Sequence, residues 1–354
     1  MISVETIIPV LKWRTTGHVS ELLGLQARRV FERLAVAVPT LTGDTLEGLV
    51  GLSDRQWRRL VFAPEFYSDV MAGRGADAIR GHTLAELGVC GDARAIASLL
   101  GRNGIASTAL GDVTWIQRGD RRLTITAPSA QGIVVDAMSV HLRRPRSGLP
   151  RSIQLYDETE RDRLCSDISG ALQQIYGASP TAGVLVNSVV RTIVVRKDAA
   201  QRSVASCSWP GLPGCVGLVN PLGLARSWLV NSLVHEAVHC YLCLTELLGD
   251  WYLDEAAMTA RTVRSPWSGR PLPFHSFVHA CLVWFGLLNY WRLDHSEDSA
   301  QYVRQAARGF LRPRDIVSQI RAGDGLRPEI ADLVLDVCGM GRTVASEHAE
   351  CGRQ

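Results

Sequence analysis

Two histidines and a glutamate in the segment Leu233-Val234-His235-Glu236-Ala237-Val238-His239 offer the clearest chemistry in this chain. The spacing is H-E-x-x-H, and it falls inside a stretch whose apolar residues recur at helical intervals from Leu224 to Leu248, which is the context that motif requires. Four residues make slightly more than one turn, so both imidazoles lie on one helix face and can share one metal ion. Glu236 lies between them, toward the open coordination side. Completed by a third protein ligand, a zinc site there would keep one position for a water with Glu236 as its general base.

A third ligand is needed. The extension that adds Gly and a third His at fixed spacing is absent, because Leu242 and Thr245 stand at those positions. Glu255 in YLDEAA follows His239 by 16 residues and would suit the pattern in which a glutamate on the next helix completes a zinc site. His275 and His279, in PFHSFVHACLVWF, are again four apart on one expected helix face, and His279 is the leading candidate. Cys240 and Cys243 form a C-x-x-C, yet they lie within the same apolar helical pattern without a strand before them, so they read as buried small hydrophobes.

The surrounding elements must position these groups. From Val19 to about Leu110, apolar residues at helical spacing are cut by Pro39, Gly43, Pro64 and the glycines near 73–75, which predicts several short helices, one starting at Ser53-Asp54. From Asp112 the pattern alternates, and VTWIQ, RLTIT and IVVDAMSVHL read as a three-stranded antiparallel ribbon. Arg143 to Pro150 is the expected linker, dividing a helical and β-ribbon domain (1–150) from a metal-binding catalytic domain (151–354). The latter reads as a helix over Thr159 to Tyr176, a β-rich run VLVNSVVRTIVVRK, strands around SVASCSW and CVGLVN, the metal helix, and helices near 274–293, 297–310 and 328–338. The fold class expected is α+β, with a zincin-like mixed strand and helix metal domain.

Composition bounds the partners. The chain has 354 residues, 46% of them hydrophobic, and 38 basic against 35 acidic side chains for a net charge of +3. Disorder as a global state is excluded, and the charge balance calls for no nucleic acid or membrane surface. No secretory signal opens the sequence, the longest apolar run (280–290) is too short to span a bilayer, and nine scattered cysteines are unlike a disulfide framework, so a cytoplasmic protein with reduced thiols is expected.

The run from Val189 to Trp291 also resembles a known family, the HExxH-motif peptide-modification proteins encoded with ribosomally made, post-translationally modified peptides. The features that carry the resemblance occur in order: VVRTIVV, the Ala-Ser-Cys-Ser-Trp segment with its Pro-Gly turn and VGLVNP, LVHEAVHCYL, SPW at Ser265 to Trp267, RPL at Arg270 to Leu272, and the apolar helix with His279-Ala280. The resemblance implies an Fe(II)- and 2-oxoglutarate-dependent dioxygenase that hydroxylates a β-carbon of a residue in a precursor peptide. Arg270, or its neighbour Arg264, would then hold the distal carboxylate of 2-oxoglutarate, since a guanidinium binds carboxylate in bidentate fashion. The strand VGLVN would offer an edge to an extended peptide, and the helical N-terminal domain would help hold the precursor. The alternative expectation is a zinc metallopeptidase of the HExxH class.

Overall fold

Breakers set the helices of the first ninety residues in the computed structural model, which describes residues 6–73, 76–89, 105–107, 113–118, 121–126, 129–137, 153–154, 156–199, 204–249, 251–321 and 325–351. The helices are α1 (Ile7–Leu11), α2 (Val19–Ala37), α3 (Gly43–Val50), α4 (Asp54–Val61), α5 (Pro64–Met71) and α6 (Ala76–Val89). Ser53 starts α4 as its spacing predicts. Its hydroxyl accepts from the Gln56 backbone N–H while Gln56 Oε1 accepts from the Ser53 N–H at 2.7 Å, a reciprocal cap that satisfies two otherwise orphaned donors. Pro64 occupies the first position of α5, where its missing N–H costs nothing.

Strands β1 (Ile105–Ser107), β2 (Val113–Arg118) and β3 (Arg121–Thr126) form the antiparallel three-stranded sheet, but its third member differs from the expected one. The IVVD segment belongs elsewhere. After β4 (Ser129–Ala130), β5 (Ile133–Asp136) joins a second sheet that continues with β6 (Ile153–Gln154) and, beyond α7 (Glu158–Ala178) and α8 (Pro180–Val189), with β7 (Thr192–Asp198), β8 (Ala205–Ser208) and β9 (Cys215–Val219). The strand order is β4-β5-β7-β9-β8, with β6 also paired to β7. Neighbours β5, β7 and β9 run parallel, and the flanking pairs are antiparallel. Burial of Ile133, Val135 and the whole of Thr192 to Val195 explains why β5 leaves the ribbon, because a continuous apolar strand needs cover on both faces.

The β-rich reading of VLVNSVVRTIVVRK holds only for its second half. Pro180 opens α8, Ser179 Oγ accepts from the Ala182 N–H at 3.2 Å, and Leu185, Val186 and Val189 bury at helical spacing, so packing overrides the β preference of valine.

The rest of the chain is α9 (Arg226–Leu248), α10 (Glu255–Ala260), a hairpin of β10 (Thr262–Arg264) and β11 (Pro271–Pro273), and α11 (Phe274–Trp291), α12 (Ser299–Phe310), α13 (Pro313–Arg321) and α14 (Pro328–Cys351). Helix α14 runs well past the expected end near 338. Gly339 and Gly341 look like terminators, but Gly341 instead makes room for Phe310, whose ring would stand 2.7 Å from any added Cβ. The fold is therefore mixed α+β. None of the described helices is long and apolar enough to cross a membrane.

The chain divides into two units, each discontinuous in sequence. One comprises Met1–Leu22, Gln173–Val186 and Val230–Gln354, the other Leu23–Leu172 and Asn187–Leu229. The linker expected at 143–150 lies outside the described residues.

Candidate metal centre

Helices α9 and α11 carry the candidate residues, and they pack antiparallel. Trp291 Nε1 donates to Asn231 Oδ1 at 3.0 Å, Gly286 lies against Val238, His279 meets His239, and Glu246 meets both His275 and His279, so residue numbers rise along one helix as they fall along the other. Gly286 permits the close approach, because a Cβ there would stand 3.2 Å from Val238 Cγ2. Both helices are buried on nearly every side, which suits core helices and explains why their apolar residues form no single stripe.

Within this frame, His239 Nδ1 lies 3.3 Å from His279 Nδ1. Two nitrogen ligands at ~2.0–2.1 Å from a tetrahedral ion are about 3.3 Å apart, so the pair fits one metal. His235 is next along the same face of α9, its ring centroid 4.9 Å from that of His239. The expected second helix thus brings His279 to His239, the second histidine of the H-E-x-x-H. Glu255 opens α10, and its side chain lies outside the described residues. Glu236 is buried at 2% exposure and lies about 100° around α9 from His235, on the side of Cys240 and Cys243. Both cysteines are buried, as expected of small core residues.

One residue escaped the sequence reading. Glu246 lies seven residues beyond His239, only ~20° from it around the helix, and therefore on the histidine face. Its Oε1 accepts from His279 Nε2 at 2.8 Å and from the Tyr252 hydroxyl at 2.8 Å, and His275 Nε2 is 3.3 Å from Oε2. Burial alone would raise its pKa, but His279 and His275 outweigh that and hold the carboxyl well below the usual carboxylate range. With Nε2–H given to Glu246, a neutral His279 turns the Nδ1 lone pair toward His239. A carboxylate that fixes tautomer and ring orientation in this way is the usual support of a metal-bound imidazole. Glu246, His275 and His279 also bring one ligand atom each within 4.8 Å of one another, a two-histidine, one-carboxylate set of its own.

Electrostatics favour the neutral ligand form of His239. Burial, with the neighbouring His235, His279 and His275, pushes its pKa well below the ordinary value, against a smaller opposite pull from Glu246. Trp251 flanks His279 at 5.9 Å between centroids, Trp284 meets His235 edge-on at 6.0 Å, and Tyr252 lies beside His275.

The SPW and RPL segments form the turn and second strand of the β10–β11 hairpin that leads into α11. Trp267 is a core residue: its Nε1 donates to the Ala306 carbonyl at 2.8 Å and its indole fills the space over Gly309, where an added Cβ would come within 2.2 Å. Arg264 and Arg270 are both exposed. Arg264 donates to the Gly269 carbonyl at 2.9 Å, and among the described residues neither guanidinium bonds to the histidine group. No protein-family model matches the sequence, and no curated protein matches it either.

Proposed function

We propose that the chain is an Fe(II)- and 2-oxoglutarate-dependent hydroxylase of a peptide, with His235, His239 and His279 holding the metal. The observation that carries this reading is the approach of His279 to the second histidine of the H-E-x-x-H helix, backed by a carboxylate. Imidazole nitrogens with a nearby carboxylate oxygen suit Fe(II). Bound there, iron supplies open positions for a 2-oxo acid and dioxygen and the oxidising power for attack on an unactivated C–H bond.

The protein's own residues do the positioning. Glu246 fixes His279, and through His275 and Tyr252 it closes a buried polar network that leaves His279 one orientation. Glu236, buried on the side of Cys240 and Cys243, lies about 100° around α9 from His235. Arg270 is the cation offered to the distal carboxylate of 2-oxoglutarate, whereas Arg264 already spends a donor on its own hairpin. The alternative, a zinc peptidase, would make Glu236 the general base.

Anaerobic titration separates the two. Protein loaded with Fe(II) should give a weak visible charge-transfer band on adding 2-oxoglutarate, and with oxygen should form succinate, adding one oxygen atom to a peptide whose backbone stays whole. Zinc, a d¹⁰ ion, gives no such band. Peptide cleavage by zinc-loaded protein without 2-oxoglutarate, abolished by Glu236→Gln, would overturn the hydroxylase reading.

A further inference from the structure

A cavity of about 400 Å³ lies in the other unit, where the end of α4 faces the start of β7. Three arginines line it: Arg58 and Arg59 from the last turn of α4, and Arg191 from the residue before β7. Among the described residues no carboxylate lines it. The volume lies within the ~300–1,000 Å³ typical of sites that enclose organic ligands.

Arg191 is held in place. Its backbone N–H donates to the Gly214 carbonyl at 2.8 Å, and Gly214, at φ 85°, packs so closely that an added Cβ would stand 3.0 Å from Arg191 Cγ. Its guanidinium lies over the Phe62 ring, 5.0 Å from the centroid. A guanidinium held over a ring keeps its N–H donors for an oxyanion, which it can bind with two parallel hydrogen bonds. Burial also lowers the pKa of Arg191, as expected of a cation without a neighbouring acid. A guanidinium anchored in a cavity with Arg58 on its other wall is a cation site suited to an anion.

We propose that this cavity binds the carboxylates of an acidic peptide segment. The guanidiniums of Arg58 and Arg191 come from two elements and can each take a carboxylate, and the volume admits more than one acidic side chain. That such a segment belongs to the enzyme's substrate rests on the peptide-hydroxylase reading; the binding itself does not.

The test is fluorescence anisotropy with labelled tetraglutamate on the full chain, with inorganic phosphate as a parallel arm measured by calorimetry. Wild type should bind the peptide saturably and less tightly as salt is raised. Arg191→Gln should weaken binding roughly tenfold or more, the effect of losing a charge-assisted pair of hydrogen bonds. Arg58→Ala, at an exposed position that folding does not need, should also weaken it. Metal content and the charge-transfer band should be unchanged in both variants, so failure here and failure at the iron centre are separable. Equal peptide affinity in wild type and both variants would overturn the proposal, as would saturable binding of phosphate alone.

Discussion

The histidine centre and the arginine cavity treat buried charge in opposite ways. Around Glu246 the protein supplies its own partners, with three donors on one carboxylate, His279 fixed between that carboxylate and His239, and aromatic rings around the edge. Around Arg191 it supplies a stem packed on Gly214 and a ring beneath the guanidinium, but no described anion. The first is a network complete enough to hold its shape before anything binds. The second is preorganised on the protein's side and complete only with a ligand. Variants should therefore separate the two regions: changes in the first should affect both metal retention and stability, and changes in the second should affect binding alone.

The largest expected effect is loss of the metal. His239→Ala and His279→Ala should each remove bound iron to background in elemental analysis, whereas His275→Ala, at the edge of the network, should keep most of it. Full retention in the His279 variant would break the assignment of the third ligand. Next in size is Glu246→Gln, which keeps the shape but removes the charge that orients His279. Supporting carboxylates of this kind are worth about 10–100-fold in metal affinity, so competition with a chelator should show a loss in that range. Complete loss would instead make Glu246 a ligand, in the set it forms with His275 and His279.

A smaller effect concerns pH. His239 in the folded, metal-free protein has a pKa below its ordinary 6.5, so the unfolded chain binds more protons as pH falls below about that value. Glu246, also lowered by folding, contributes in the same direction: its stabilisation is present above the unfolded value of 4.5 and is lost as pH falls through the folded one. Metal-free protein should therefore unfold at lower urea at pH 5.5 than at pH 7.5. An equal or higher midpoint at pH 5.5 would contradict it. The smallest effect belongs to the cavity, where Arg58→Ala removes an exposed like charge and should leave the unfolding free energy measured in urea within ~0.5 kcal/mol of wild type. A clear destabilisation would show that the arginine has a structural partner and would erase the contrast.

Much of the histidine centre was legible because helical spacing is local information. His235 and His239, then His275 and His279, declare their shared faces by their intervals alone, and the antiparallel register of α9 and α11 follows once both are helices. Glu246 lies on the face of His239 by its interval, but its role depends on His279, a partner 33 residues away that the interval does not reveal. The hidden parts were those that non-local pairing decides. β5 looks like the continuation of the preceding hairpin until its parallel partner β7 is known, and Leu185 to Val189 read as strand until Ser179 and Pro180 are seen to start a helix. Gly341 could be taken for a terminator because nothing local shows that Phe310 needs the space.

The indole of Trp13 donates to the carbonyl of Gly286 at 2.8 Å, across 273 residues of sequence, and Leu11 lies against the same glycine. His18 likewise bonds the hydroxyl of Tyr241, so the unit that carries the histidines joins segments far apart in sequence. At ~5–20 residues per second a ribosome needs roughly 14–55 s to pass from Trp13 to Gly286. During that interval Leu11 and Trp13 have no native partner on α11, and the histidine group cannot acquire its final geometry until α11 has left the exit tunnel. Closure of the histidine group is thus late in synthesis, because the H-E-x-x-H helix is made before His279 exists.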